Sequence, residues 1–276
     1  MHRISFGTLV LDLHGLSDLG QLSTLYRNHS TRAAAPDAVV RVGVDADAGV
    51  GHPLDPQGPP WTWSVCDGRL AVLGPTWRLS VPLSPGEPVD ATMRAWRPEE
   101  FDLLMDCLVQ ILAPLRAGAL VFHGSAVLRE GVAYVFTAPR ETGKTTVARY
   151  SRDLGYTVLA EEMAYVGWDA TGANPVVCSL PLLEKNRMGV TDRTQVPLAG
   201  IYRLRQAAED RVEVLTQAQR ILELSRVAAV AVRASVVAMA ALDVAARLAS
   251  RGEPKRLHFT RSARFWQVID ADEERA

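Results

Sequence analysis

The sequence predicts an α/β protein (α+β overall) in which a β-rich N-terminal portion precedes a domain built around a strand, a loop and a helix. Short apolar runs separated by Gly-, Pro- and Asp-rich stretches dominate residues 1–97, a pattern typical of β-strands. Residues 98–118 have the apolar spacing of one long helix. Two apolar strands, a glycine-containing loop and a helix then open residues 119–276. We therefore predict an N-terminal domain over 1–97, a bridging helix over 98–118 and a second domain over 119–276.

Short strands are expected throughout the N-terminal portion. The segment 61–74 is predicted to be a hairpin, because Asp67-Gly68 is a two-residue turn signal between apolar runs. Ser17 favours a short helix through Tyr26, and the crowded Gly, Pro and Asp residues of 45–60 favour a loop. The other strands predicted here are 3–13, 37–45, 76–83 and 89–96.

The order of elements in the second half places a loop between a buried strand and a helix. Pro98 opens the bridging helix, because proline suits a first helical turn. Two apolar strands, 119–128 and 132–138, are predicted to form a hairpin, and a helix from Thr145 ends near Gly155. Later strands are predicted over 156–169, 174–183, 199–206, 211–216 and 255–269, the last with a polar interruption.

Composition and charge exclude several classes of protein. Lys and Arg (30) nearly balance Asp and Glu (31), which argues against a dedicated nucleic-acid or membrane-surface binder, since both need a field of one sign. The N-terminus alternates rather than running apolar, so no signal peptide is expected. Cys66, Cys107 and Cys178 are widely spaced, which favours thiols in a reducing compartment. A cytoplasmic location is the prediction.

The alanine-rich segment 227–249 is the one stretch that suggests a membrane span. Arg233, Asp243 and Arg247 interrupt it, and each is costly at the centre of a bilayer. We therefore expect a buried core or interface helix here.

The segment VFTAPRETGKTTVARY, residues 135–150, nearly matches the phosphate-binding pattern G-x-x-x-x-G-K-[ST]. Backbone N–H groups at a helix N-terminus attract phosphate. In such a loop the lysine reaches the β- and γ-phosphates and the hydroxyl of the next residue ligates Mg²⁺. The alternative is an ordinary turn from strand to helix. The predicted nucleotide-binding residues are Ala138, Arg140, Thr142, Gly143, Lys144, Thr145 and Thr146.

The loop departs from the full pattern at its start. Ala138 stands where the pattern has its first glycine, and Pro139 fixes φ and removes one N–H donor. Arg140 and Glu141 are bulky where such loops are often small. Arg140 is placed to lean over a phosphate as an extra cation, whereas Glu141 would repel one. The loop is therefore either a working site or the relic of one.

Two acidic residues follow the helix in the next predicted strand. Glu161 and Glu162 lie at the end of a buried run, and a carboxylate facing a phosphate loop suits a Mg²⁺-nucleotide site or a catalytic base. Side chains of adjacent residues on a strand point to opposite faces, so only one of the two is expected to serve. The alternative is a solvated strand end.

Residues 120–166 resemble the catalytic domain of HPr kinase/phosphorylase and its looser relatives, whose nucleotide fold is that of phosphoenolpyruvate carboxykinase. The resemblance lies in the His-Gly strand FHGSAVL, the hairpin, the Walker-like loop, the helix ending in glycine and the strand closing in two acidic residues. Looser echoes are SLPLLEK (179–185) and PLAGIYRLRQ (197–206), and the latter looks like segments of peptide-tailoring kinases.

This resemblance implies a role for each matching residue. Gly143, Lys144 and Thr145 fall on the phosphate and Mg²⁺ positions, and His123 falls on a histidine near the phosphates, although on its own it suits a buried core position equally well. Glu161 and Glu162 fall on an Asp-Asp pair that supplies a catalytic base and a metal partner. Thr145 and Glu162 are thus the implied metal ligands, and Lys185 is a looser match to a lysine of some relatives.

The implied activity is that of a kinase using ATP and Mg²⁺ to phosphorylate a hydroxyl on a protein, peptide or small molecule. Ala138 and Glu141 replace glycines of the family pattern, and both aspartates have become glutamates. A displacement of about 1 Å can cost roughly 10²-fold in rate. The alternatives are therefore a catalytically inactive module that binds a nucleotide or a protein or peptide partner, and a structural subunit of a larger assembly.

Overall fold

The computed structural model shows a mixed α/β architecture, with fifteen strands and five helices in the part of the chain that it describes. The described residues are 2–15, 26, 35–46, 61–139, 142–180, 195–230 and 234–275. Several sequence predictions lie outside them: the helix from Ser17, the loop over 47–60, Arg140, Glu141 and Lys185.

The N-terminal portion is one seven-stranded mixed sheet with the order β1-β2-β3-β7-β6-β5-β4. β3 lies parallel to both β2 and β7, and the other pairs are antiparallel. The predicted hairpin is confirmed, with Asp67 and Gly68 at φ of 50° and 71° in its turn. The strands are β1 His2–Phe6, β2 Leu9–His14, β3 Ala38–Val44, β4 Thr62–Cys66, β5 Arg69–Leu73, β6 Trp77–Pro82 and β7 Val89–Met93.

Residues 3–13, predicted as a single strand, form a hairpin instead. Gly7 at φ of 64° turns the chain between β1 and β2. A Cβ at Gly7 would lie 2.4 Å from the ring of Tyr165 in the second sheet, and Thr8 Oγ1 and the Tyr165 hydroxyl are 2.9 Å apart. The alternation continues through the turn, so period alone did not reveal it.

The predicted long helix is present as α1, Pro98–Arg116. Pro98 lies in its first turn with Glu99 and Glu100, which complement the helix dipole. The helix packs on the N-terminal sheet on one side and on the second half of the chain on the other, within one continuous hydrophobic cluster. This cluster joins the two sheets.

The second half contains eight strands and four helices. β8, β11, β12, β13 and β9 pair in succession, and β9 pairs back with β8, so five strands close a ring. The strands are β8 Leu120–Arg129, β9 Val132–Thr137, β10 Thr157–Ala160, β11 Met163–Trp168, β12 Pro175–Cys178, β13 Gln195–Gln206, β14 Arg211–Val214 and β15 Lys255–Phe259. The helices are α2 Lys144–Asp153, α3 Gln217–Val227, α4 Ser235–Arg251 and α5 Phe265–Glu273.

Two further hydrophobic clusters cover this sheet. Apolar side chains of α3 and α4 pack into one of them, and those of α2 and α5 pack into the other. The first includes Leu224 and Leu248, and the second includes Val147, Phe259 and Trp266. Each helix therefore has one apolar face on the strands.

The prediction of a closing strand over 255–269 was wrong in its second part. β15 ends at Phe259, and α5 begins at Phe265. Phe265, Trp266 and Ile269 have the spacing of one helical face, and all three are buried. Apolar letters after the polar interruption thus follow a helical period.

The alanine-rich segment is also divided. Ala228 forms a bridge with Phe122 of β8, and α4 begins only at Ser235. None of the described helices combines the length and the apolar character needed to cross a lipid bilayer.

Candidate functional site

Three parallel strands bring the candidate site together. β13 lies parallel to both β9 and β15, with Thr137 opposite Arg203 and Gln206 opposite Phe259. The carboxyl ends of these strands therefore meet at one edge of the sheet, where α/β proteins commonly bind ligands. The glycine-containing loop leaves β9 at this edge and leads into α2.

The loop ends in a glycine that the structure requires. Gly143 has φ of 121° and directly precedes α2. A Cβ on it would lie 2.5 Å from Cζ of the buried Phe259. No side chain caps α2 at Gly143, and its first turn contains no acidic residue. The positive end of the helix dipole therefore faces the loop.

Lys144 lies across the start of the loop. Its Nζ donates hydrogen bonds to the carbonyl oxygens of Ala138 and Pro139, each at 2.8 Å. Neighbouring strands hold the loop from both sides, because Ser125 Oγ donates to Lys144 O at 3.3 Å and Gln206 Nε2 donates to Thr142 O at 3.2 Å. The predicted phosphate-binding residues are therefore anchored to β8 and β13.

Glu161 and Glu162 lie at a bend rather than within a strand. The predicted strand over 156–169 breaks here into β10 and β11, which continue along the same edge of β8. Gly124 N donates to Glu162 O at 2.9 Å across this break. Both glutamates line one cavity. The expectation that only one of them faces the loop was wrong, because the bend cancels the alternation of a strand.

His123 is exposed on β8, opposite Met163. The alternative of a buried core histidine was therefore wrong, although the flanking residues on this apolar strand are buried. His123 and the glutamates line a cavity of about 530 Å³ at the mouth of the loop. The predicted site residues that line it are His123, Ala138, Lys144, Thr145, Glu161 and Glu162.

The remaining predicted residues are divided between two adjoining cavities and the undescribed part of the loop. Gly143 and Thr146 line a cavity of about 210 Å³ on the helix side. Thr142 lines a cavity of about 350 Å³ on the other side. Arg140 lies outside the described residues.

Four arginines that the sequence analysis missed also line these cavities. Arg203 and Arg226 line both the 530 Å³ and the 350 Å³ cavities, Arg205 lines only the latter, and Arg261 lines the 210 Å³ cavity. Arg203 and Arg205 alternate on β13, so the sequence places them on one face of a strand. Their proximity to the loop depends on the parallel pairing of β9 with β13, for which a single sequence carries no signal.

A network of ion pairs holds Arg203 in place. Its Nε lies 3.2 Å from Glu223 Oε2, and Arg256 Nη2 lies 2.7 Å from Glu223 Oε1. Burial lowers the pKa of Arg203, the charges of Arg205 and Arg226 lower it further, and Glu223 opposes both. Burial alone would raise the pKa of Glu223, but the hydrogen bond from Arg256 and the surrounding cations hold that pKa below its ordinary value.

The oxygen donors at the cavity suit a hard cation. Mg²⁺ prefers oxygen ligands and is usually held by one or two protein groups together with substrate phosphates. The Thr145 hydroxyl and the carboxylates of Glu161 and Glu162 fit this description, and all three residues line the 530 Å³ cavity. Within the described ranges, no group of three or more His, Cys, Asp or Glu side chains forms a ready-made metal site.

Comparison with known proteins gives one weak match of structure. No family model matches the chain, and no curated protein matches its sequence. Among solved structures the chain is similar to an HPr(Ser) kinase/phosphatase from Coxiella burnetii, with 7% identity and a TM-score of 0.31, over 56% of this chain and 97% of that one. At this TM-score the similarity assigns neither a fold nor a function, and a P-loop kinase fold stays a prediction.

Proposed function

We propose that this protein is an ATP-dependent kinase-like protein that phosphorylates a hydroxyl group on a protein, peptide or small molecule. One observation carries the proposal: Lys144, Thr145, Glu161, Glu162 and His123 line a single cavity at the N-terminus of the helix that follows β9. Phosphoryl transfer is catalysed mainly by positioning and charge neutralisation, so a few such groups suffice.

Each residue has a role in this proposal. Lys144 neutralises charge on the transferring phosphate. Thr145 and Glu162 would hold Mg²⁺, which when bound neutralises phosphate charge. Glu161, which is half-buried, takes the proton of the acceptor hydroxyl as general base. His123 adds a polar group beside the phosphates.

Lys144 must change partners when a nucleotide binds. Its ammonium group is hydrogen-bonded to the two neutral carbonyls of Ala138 and Pro139. Hydrogen bonds between two charged groups are roughly twice as strong as those between neutral groups. A phosphate oxygen is therefore the stronger partner for the ammonium, and the exchange is favourable.

A second candidate function is a non-catalytic module that binds a nucleotide or a protein or peptide partner. The start of the loop favours it, since Pro139 offers no N–H donor and its carbonyl holds the Lys144 ammonium. In this candidate the loop binds without transfer, and no glutamate acts on a hydroxyl.

Calorimetric titration with Mg·ATP and Mg·ADP tests the proposal. We expect micromolar binding to the wild type and a loss of roughly tenfold to a hundredfold in Lys144→Ala, because hydrogen bonds to charged groups are worth about 1.5–3 kcal/mol. Arg152→Ala is the matched control, since it removes a positive charge from the exposed last turn of the same helix. Affinity in this control should stay unchanged.

Two results separate the outcomes. The absence of heat with either nucleotide, in protein shown to be folded, contradicts the proposal. Release of phosphate from ATP, measured with water as the acceptor, separates the two candidates when nucleotide binds. Release that disappears in Lys144→Ala supports the kinase, and binding without release supports the non-catalytic module.

A further inference from the structure

Three cavities follow one another along the carboxyl edge of the sheet. The central cavity of about 530 Å³ shares Lys144 and Thr145 with the 210 Å³ cavity on the helix side. It shares Pro139, Arg203 and Arg226 with the 350 Å³ cavity on the other side. The shared residues fix the order of the three as a row.

This row gives a direction to any nucleotide in the site. In a phosphate loop the backbone near the helix start cradles the inner phosphates, and the lysine reaches the outer ones. The inner phosphates would then lie toward Thr146 and Arg261, which line the 210 Å³ cavity. The 350 Å³ cavity therefore lies beyond the phosphate that is transferred, where an acceptor must bind.

The 350 Å³ cavity is strongly positive, although the whole chain carries a net charge of only −1. Arg203, Arg205 and Arg226 line it, and Glu223 is the one carboxylate among its described lining residues. That carboxylate is already paired with Arg203 and Arg256. The three guanidinium groups are close enough for Arg205 and Arg226 to lower the pKa of Arg203. Such mutual repulsion is relieved when an anion binds among them.

One buried donor in this cluster has an unmet need. Nη1 of Arg203 is buried and has no hydrogen-bond partner among the described residues. A buried charged donor without a partner is costly. Arg205 and Arg226, in contrast, are exposed at the cavity. Guanidinium groups bind planar carboxylates and phosphates through paired hydrogen bonds.

We propose that the 350 Å³ cavity is a subsite for an anionic group, a carboxylate or a phosphate, on the acceptor, with Arg205 as the residue that determines this specificity. The acceptor role rests on the proposed kinase function. Small-ligand sites occupy roughly 300–1,000 Å³, so the cavity suits a small acidic group. Arg205 is singled out because Arg203 and Arg226 also line the central cavity and are placed to contact the nucleotide.

The test measures anion binding where the phosphate loop has been disabled. Lys144→Ala protein is titrated calorimetrically with orthophosphate and, separately, with malate, which distinguish a phosphate from a carboxylate preference. The same titrations are made with Arg205→Gln added, and with Arg251→Gln added as the control. Arg251 is an exposed arginine at the end of α4 and lines none of the three cavities.

We expect at least one probe to bind, to weaken about tenfold or more with Arg205→Gln, and to be unaffected by Arg251→Gln. A hydrogen bond between charged groups contributes on that order. The proposal is overturned if neither probe binds, or if both bind equally well with and without Arg205. Loss of Mg·ATP affinity in Arg205→Gln alone would assign the cavity to the nucleotide and overturn it too.

Failure of the kinase proposal gives a different pattern. If wild-type protein binds no nucleotide but anion binding still depends on Arg205, the anion site stands and its role toward an acceptor is lost. If nucleotide binds and anion binding does not depend on Arg205, the kinase proposal stands and the subsite is refuted.

Discussion

Gly143→Ala tests how the loop is built into the hydrophobic core. Gly143 has φ of 121°, a conformation that side chains resist. Its added Cβ would lie 2.5 Å from Cζ of Phe259. Phe259 is fully buried and packs among the apolar side chains of β9, β13 and α5, so it has little room to move.

The expected cost has two parts. Holding a residue other than glycine in a sparsely populated backbone conformation costs about 1–3 kcal/mol. Forcing extra volume into a packed core costs about 1–3 kcal/mol more. The sum, about 2–6 kcal/mol, is a large fraction of the roughly 5–15 kcal/mol that stabilises a typical domain. Gly143→Ala should therefore be among the most destabilising single substitutions in the loop region.

Gly155→Ala separates the two parts. Gly155, which follows the other end of α2, has φ of 88°, and an added Cβ there would meet nothing within 4 Å. Its cost is therefore backbone strain alone. The free energy of unfolding of both variants is measured by urea denaturation followed by circular dichroism. A third variant, Gly143→Ala combined with Phe259→Leu, should lose less than the sum of the two single costs, because leucine vacates the contacted volume.

The reasoning is refuted if Gly143→Ala costs no more than Gly155→Ala, or if its cost is additive with that of Phe259→Leu. Either result would mean that Phe259 does not constrain the loop. The position of Lys144, the next residue, would then be independent of the core.

Two further predictions concern carboxylates. Glu161→Gln should lower ATP turnover by roughly 10²–10⁴-fold, the usual contribution of a general base, whereas Glu162→Gln should mainly raise the Mg²⁺ concentration needed for half-maximal turnover. The hydrogen bond from Arg3 to Asp12, at 2.5 Å and helped by the charge of Arg3, lowers the pKa of Asp12 against the opposing effect of burial. The stabilisation that ionised Asp12 contributes is therefore present above about pH 4 and is lost as the pH falls through the lowered pKa. The difference in unfolding free energy between wild type and Asp12→Asn should accordingly shrink below about pH 4 in urea denaturation.

Local patterns predicted most of the elements. The turn at Asp67-Gly68 and the start of α1 at Pro98 have short-range causes that a single sequence displays. The failures have longer-range causes. The turn at Gly7 continues an alternating pattern, and α5 follows a strand without a strong break. In both places the packing partner decides the structure.

The site divides in the same way. The strand, loop and helix around Lys144 were visible as a motif, and the structure places Glu161, Glu162 and His123 at the same cavity. The sequence gave no indication of Arg205 and Arg226, which are far apart along the chain and join the site only through strand order and the position of α3. A chain with nearly balanced charges conceals such a cluster.

The departures of the loop from the phosphate-binding pattern follow the packing around it. Ala138 takes the place of the first glycine, and it is buried in the same hydrophobic cluster as Phe259 and Val147, where its methyl group adds apolar contact. Gly143 keeps its glycine, and there a side chain would strike Phe259. Glycine is thus kept where the core excludes a side chain and lost where the core accepts one. This arrangement is expected of a loop whose shape is still maintained, and it makes nucleotide titration of Lys144→Ala the decisive comparison.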